Sequence, residues 1–233
     1  MAPASAPTDI TLDSVSVYGF TAVPASASLL LSTTTSTAAP FIPVSEIPVP
    51  DTALSERIKR YAQSEPPDEA YFLTCLLHDI GSTEENITKT KLSFEFYGGL
   101  LALNVLQETS NTSAPEATAA PDLAESVAEA IIRHQDFRDE GKITAVGQLL
   151  QLATTLGRLI RFRAGDNVGA HTELVHSLTI EDISRHFPRR GWSRCFAATL
   201  RKETELKPWC HTTVLGEGAS ARVLGNKLMV PYE

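Results

Sequence analysis

This chain is poor in cysteine, in basic residues near its start, and in long apolar runs. Its 233 residues include three cysteines, Cys75, Cys195 and Cys210, at unrelated spacings. That odd, unpatterned set argues against a disulfide frame and against a CxxC zinc staple, and for reduced thiols in an intracellular, cytoplasmic protein. No Lys or Arg precedes Arg57, so neither a basic signal-peptide start nor an Arg-rich transit peptide is expected. The nearest thing to an apolar run in that region is Leu29 to Leu31, far short of the roughly 20 residues that cross a bilayer. A net charge of −8 and a pI near 5.3 count against a nucleic-acid or anionic-membrane partner, either of which needs clustered basic residues.

What is present divides the chain in two. Residues 1–51 are rich in Ala, Ser, Thr and Pro, with a low-complexity stretch at Ala25 to Pro40 and a proline-punctuated IPVSEIPVP after it. Such a segment buries too little apolar surface to offset its ordering entropy, and it reads as a mostly disordered tail in extended conformation. Residues 52–233 carry helical periodicity and read as one domain.

Helices are expected at Leu54 to Gln63, Asp68 to Ile80, Lys91 to Gln107, Asp122 to Asp136, Thr144 to Leu156, Thr179 to Phe187 and Trp192 to Lys207. In Tyr71 to Gly81, YFLTCLLHDIG, the residues Leu73, Leu76, Leu77 and Ile80 form one apolar stripe, Gly81 ends the helix, and His78 and Asp79 occupy its last turn. Adjacent helical side chains diverge by about 100°, so one metal ion reaches both only from the wedge between them, with help from other helices. The next helix should bury Leu92, Phe96, Gly99, Leu100 and Leu103. Asp122 to Asp136 puts Leu123, Val127, Ile131 and His134 on one stripe, so His134 faces inward; spacing alone makes it a hydrogen-bonded core histidine. Thr144 to Leu156 should bury Val146, Leu149, Leu150 and Ala153. TIED at Thr179 reads as a capping box. The last helix should bury Trp192, Cys195, Phe196, Thr199 and Leu200, and an irregular arm follows it. His171, His176, His186 and His211 read as surface or packing residues.

LLHDIG, KLSFEFYGG at Lys91, AEAIIRHQD at Ala128 and TAVGQLLQLATTL at Thr144 together resemble the HD-domain metalloproteins, and within them the fungal cyanamide hydratase family. DNVG at Asp166, ELVH at Glu173, GWSRCFAATL at Gly191, KPWCHTT at Lys207 and GNKLMVPYE at Gly225 extend the resemblance. It implies an all-α HD-domain helical bundle with a disordered N-terminal tail and an irregular C-terminal arm, and a short element at Tyr18 to Pro24 lying on the domain. The implied activity is hydro-lyase chemistry, the metal-dependent hydration of cyanamide to urea. The implied metal ligands are His78, Asp79 and Asp166, with His134 and Gln135 lining the pocket beside the metal. Zinc is the implied ion, with iron or manganese as alternatives.

Two departures from the pattern stand out. A family helix bearing a first metal-binding His is missing after Gln63, and no His precedes His78. GRLIRFRAG, Gly157 to Gly165, is inserted before Asp166; a continued helix would turn that residue away from the site, whereas a looped-out insert, which the flanking Gly157 and Gly165 permit, would restore its position. A degenerate scaffold or truncated gene product is therefore the competing reading, and an HD-type phosphohydrolase a third. With a partner helix missing, the Tyr71 to Ile80 stripe should leave apolar surface exposed, favouring homo-oligomers.

Overall fold

The computed structural model describes residues 18–26, 41–46, 69–108, 119–138, 140–158, 175–226 and 229–233. Among them are eight α-helices and one two-stranded sheet, so the chain is all-α. The helix expected at 54–63, the residue Asp166 and most of the 157–165 insert lie outside the described residues.

Helix α1 (Glu69–Leu77) buries Ala70, Phe72, Leu73, Thr74 and Leu77. No residue from Tyr71 to Ile80 is exposed, which overturns the expected bare stripe. A 3-10 turn (Ile80–Ser82) and the short α2 (Glu84–Lys89) lead to α3 (Phe94–Gln107). The face that α3 buries is the expected one only in part: Gly99 is buried and Leu103 packs against the core. Leu92 before it and Phe96 and Leu100 within it are exposed, while Phe94, Glu95, Gly98, Gly99, Ala102 and Leu106 are buried. The cause is close packing on α4 (Pro121–Arg133): a Cβ on Gly99 would sit 2.5 Å from Ile132 Cγ1, so small residues select the face.

α4 buries Leu123, Val127 and Ile131, as its spacing requires, and together with α1 and Ala102 and Leu106 of α3 it forms the larger core. Helix α5 (Ala145–Arg158) follows and packs on α4 and α1. Val146 and Leu150 of α5 are buried, but Leu149 and Ala153 are exposed, and Gln148 and Gln151 take the inner positions instead.

Part of the expected tail is ordered on this body. β1 (Ala22–Pro24) pairs antiparallel with β2 (Lys142–Thr144), Ala22 opposite Thr144, and Ser126 Oγ donates to the Tyr18 carbonyl. Val44–Glu46 is a 3-10 turn rather than extended chain. Ile42 and Val44 donate their amides to Thr179 Oγ1 and Asp182 Oδ2 of α6 (Ser177–His186). Thr179 therefore lies inside α6, whose N-cap is His176, its ring nitrogen accepting from Leu178 N; the expected capping box is displaced.

Helix α7 (Trp192–Leu206) builds a second core from Phe196, Ala197 and Leu200 against Leu215, Ala219 and Val223. Cys195 is exposed instead of buried. The arm beyond is less irregular than expected. A 3-10 turn (His211–Leu215), helix α8 (Ala219–Leu224) and a final 3-10 turn (Val230–Tyr232) punctuate it. Two helices are capped by carboxylates from elsewhere in the chain: Glu203 Oε1 accepts from Phe94 N of α3, and Glu233 Oε2 accepts from Ser193 N of α7. Burial alone would raise the Glu233 carboxyl, but hydrogen bonds from Ser193 and Arg189 outweigh it and hold the group low.

Candidate active site

His78 and Asp79 come together because the helix stops one residue before them. α1 ends at Leu77; His78 N still donates to Thr74 O at 2.9 Å, while Asp79 turns to φ −99°, ψ 10° and begins the next 3-10 turn. This bridge-region conformation is frequent at active sites. The His78 Nε2 and Asp79 Oδ2 atoms lie 3.2 Å apart. Gly81 does not end α1. It sits in the 3-10 turn hard against α3, where a Cβ would meet Phe94 O at 2.0 Å and Gly98 N at 2.8 Å.

His134 arrives from α4. The helix tightens at its C-terminus, with His134 N donating to Ile131 O, and the imidazole is fully buried. Gln151 of α5 fixes the following turn, its amide donating to the carbonyls of Arg133 and Asp136 at 2.9 and 3.1 Å. His134 meets His78 edge-on, ring centroids 5.5 Å apart, and its Nε2 stands 3.9 Å from Asp79 Oδ1. Phe94, the first residue of α3, packs against the His134 ring at 5.6 Å.

The hydrogen bonds assign the tautomers. His78 Nδ1 lies 2.7 Å from Cys75 O, and His134 Nδ1 lies 2.6 Å from Ile131 O. A carbonyl only accepts, so each ring carries its proton on Nδ1 and, when neutral, presents a lone pair at Nε2. His78 Nε2 then faces a carboxylate oxygen, acceptor against acceptor. That contact is favourable only with a second proton on the ring or with a cation between the two groups. The donor chemistry thus fits a divalent ion at His78 and Asp79. Among the described residues no group of three or more His, Cys, Asp and Glu is placed to hold one, and Asp166 lies outside them.

Gln135 is fully buried, and neither its amide oxygen nor its amide nitrogen makes a hydrogen bond among the described residues. The sequence reading missed three nearby contributors: Phe94, Gln151 and Glu95. Glu95 is buried, with Oε1 2.7 Å from His211 Nδ1. His211 thus has a carboxylate partner. Its ring stacks on Phe96, and the hydrogen bond to Glu95 raises its pKa, aided by Asp136 and opposed by burial and Arg138. A carboxylate inside an apolar run, as in FEFYGG, was the signal available. A groove of about 460 Å³ lined by Phe20, Leu103, Ile132 and Thr144 among others shares no residue with this site.

No family model matches the chain. Over 158 residues it is 42% identical to Cyanamide hydratase DDI2 of Saccharomyces cerevisiae, and equally to Cyanamide hydratase DDI3 of the same organism. The matched stretch is 68% of this chain and 63% of each relative, so the chain spans less than two thirds of their length. No helix among the described residues is long and apolar enough to cross a membrane.

Proposed function

We propose that this chain adds water across the nitrile bond of cyanamide to give urea, on an HD-type domain over residues 52–233. The observation that carries the reading is Gln135: a buried amide whose nitrogen donors and oxygen acceptor meet no partner among the described residues. Leaving such groups unsatisfied costs about 1–3 kcal/mol each, and a small ligand with complementary groups would remove that cost. Cyanamide has them, an amino group to donate and a nitrile nitrogen to accept. The names of the two similar yeast proteins point to the same substrate.

In this reading His78, Asp79 and Asp166 would hold the metal, zinc first, with iron or manganese as alternatives. A metal held there would supply a water acidified toward neutral pH as the nucleophile. His78 is oriented for that task by its bond to the Cys75 carbonyl, as ligand imidazoles usually are. Gln135 orients the substrate. His134, its Nδ1 fixed on Ile131 O, holds a proton-accepting Nε2 toward Asp79 and relays protons to the nitrogen as the C–O bond forms. Oxygen ends on carbon and both hydrogens of water end on nitrogen, which is urea after tautomerisation.

The test is urea formation from cyanamide by purified protein, with metal content measured on the same sample. One equivalent of metal and sustained turnover support the reading. A metal-free protein that makes no urea supports an inactive scaffold instead, the reading favoured by the lack of a three-ligand cluster among the described residues.

A further inference from the structure

We propose that Glu203 and Lys207 are positioning residues for the site, acting through Phe94; this rests on the reading of Asp79 and His134 given above. Phe94 is held on three sides. Its amide donates to Glu203 Oε1 at 2.7 Å, its ring lies against His134, and its carbonyl lies where a Cβ on Gly81, two residues after Asp79, would collide. One residue therefore gauges both halves of the site, the turn that carries Asp79 and the end of α4 that carries His134.

The group that fixes Phe94 is an ion pair buried out of contact with water. Glu203 is 0% and Lys207 2% exposed, with Lys207 Nζ 3.1 Å from Glu203 Oε1. Both partners have further bonds: Lys207 Nζ also donates to Leu92 O at 2.7 Å, and Thr212 Oγ1 donates to Glu203 Oε2 at 2.5 Å. Burying such a pair seldom gains net stability over apolar side chains of the same size, since desolvation offsets the attraction. It does give direction. Two of its hydrogen bonds, from Phe94 N and to Leu92 O, are aimed at the chain entering α3, and catalytic groups need placement to within about 0.5 Å. Positional precision at Phe94 is the use that accounts for a charged pair in this place.

The experiment compares the parent with the double variant Glu203→Leu/Lys207→Met, with Glu203→Gln, and with Thr212→Val. Melting, metal content, kcat, KM and the imidazole nitrogen resonances of His134 are read for each. The double variant leaves Phe94 N, Leu92 O and Thr212 Oγ1 without these partners, so it should melt below the parent while keeping its metal and its KM. Its kcat should fall about tenfold or more, because small misplacements are costly, and its His134 resonances should shift. Glu203→Gln keeps an acceptor for Phe94 N and should recover most of the kcat. Thr212→Val should move kcat and His134 in the same direction by less, which preserves the test if the double variant does not fold. Variants with the parent's kcat and unmoved His134 resonances overturn the proposal. If the parent makes no urea, the proposed reaction fails by itself, and the His134 resonances still decide the positioning role.

Discussion

Replacing Gly81 by Ala tests whether the Asp79 turn is clamped on α3. The added Cβ would lie 2.0 Å from Phe94 O, 2.8 Å from Gly98 N and 3.0 Å from Gly98 Cα. All three are backbone atoms of a helix anchored by Glu203, so no side chain can swing aside. Overpacking typically costs 1–3 kcal/mol, and a backbone obstacle places this variant at the upper end, about 3 kcal/mol. For a domain of this size that lowers Tm by roughly 6–12 °C. Gly98→Ala is the control. Its Cβ would come no closer than 3.3 Å to Gly81 N and 3.5 Å to Ile131 Cγ2, and the gain in helix propensity of about 1 kcal/mol offsets the crowding. Thermal melts followed by far-UV circular dichroism compare the two. Activity adds a second reading: relief of the clash must move the turn, and a displacement near 1 Å at Asp79 costs on the order of a hundredfold in rate. A Gly81→Ala protein melting within about 2 °C of the parent, well short of the expected shift, refutes the clamp.

Gln135→Ala should leave the fold intact and reduce kcat/KM for cyanamide roughly 10–100-fold, as expected for a lost substrate hydrogen bond or two; steady-state urea production checks it. Chelation should abolish urea formation and zinc should restore it, followed in the same assay. His211→Gln should lower Tm most at acidic pH. The His211 pKa is raised above its usual 6.5, first by the Glu95 hydrogen bond, so its stabilisation is complete below about 6.5 and is lost as pH rises through the folded value. A melting difference that grows with pH above neutrality contradicts this. One thiol should react quickly in the native protein, the exposed Cys195, because burial pushes both Cys75 and Cys210 up to about 11; two fast thiols in a colorimetric titration would show otherwise.

The helices were legible because apolar residues recur with their period, and α4 shows it best, with Leu123, Val127, Ile131 and His134 all inward. The buried face of α3 was not. Gly99 and Leu103 were picked with Leu92, Phe96 and Leu100, but close approach of two helices selects Gly98 and Ala102 beside Gly99 and leaves those last three outside. The polar interior was equally hidden: Glu95, Gln148, Gln151, Glu203 and Lys207 are buried, and each is explicable only by partners distant in sequence or across a helix end. His78 and Asp79 were readable as a pair, but their convergence depends on α1 stopping at Leu77, a backbone event that periodicity does not encode. Asp166 lies outside the described residues, and its role stays with the resemblance.

Ala22 and Thr144 meet across about 120 residues, and bringing such a loop together costs roughly 4 kcal/mol in chain entropy. On a ribosome the first strand must wait until the second has emerged, long after α1 to α4 have had time to assemble from near neighbours. The strand is thus fastened after α1 to α4 and released before them. Amide exchange at Val23 and Ile143 is expected to outpace that of the α4 interior, marking the two-stranded ribbon as the seam along which this molecule opens.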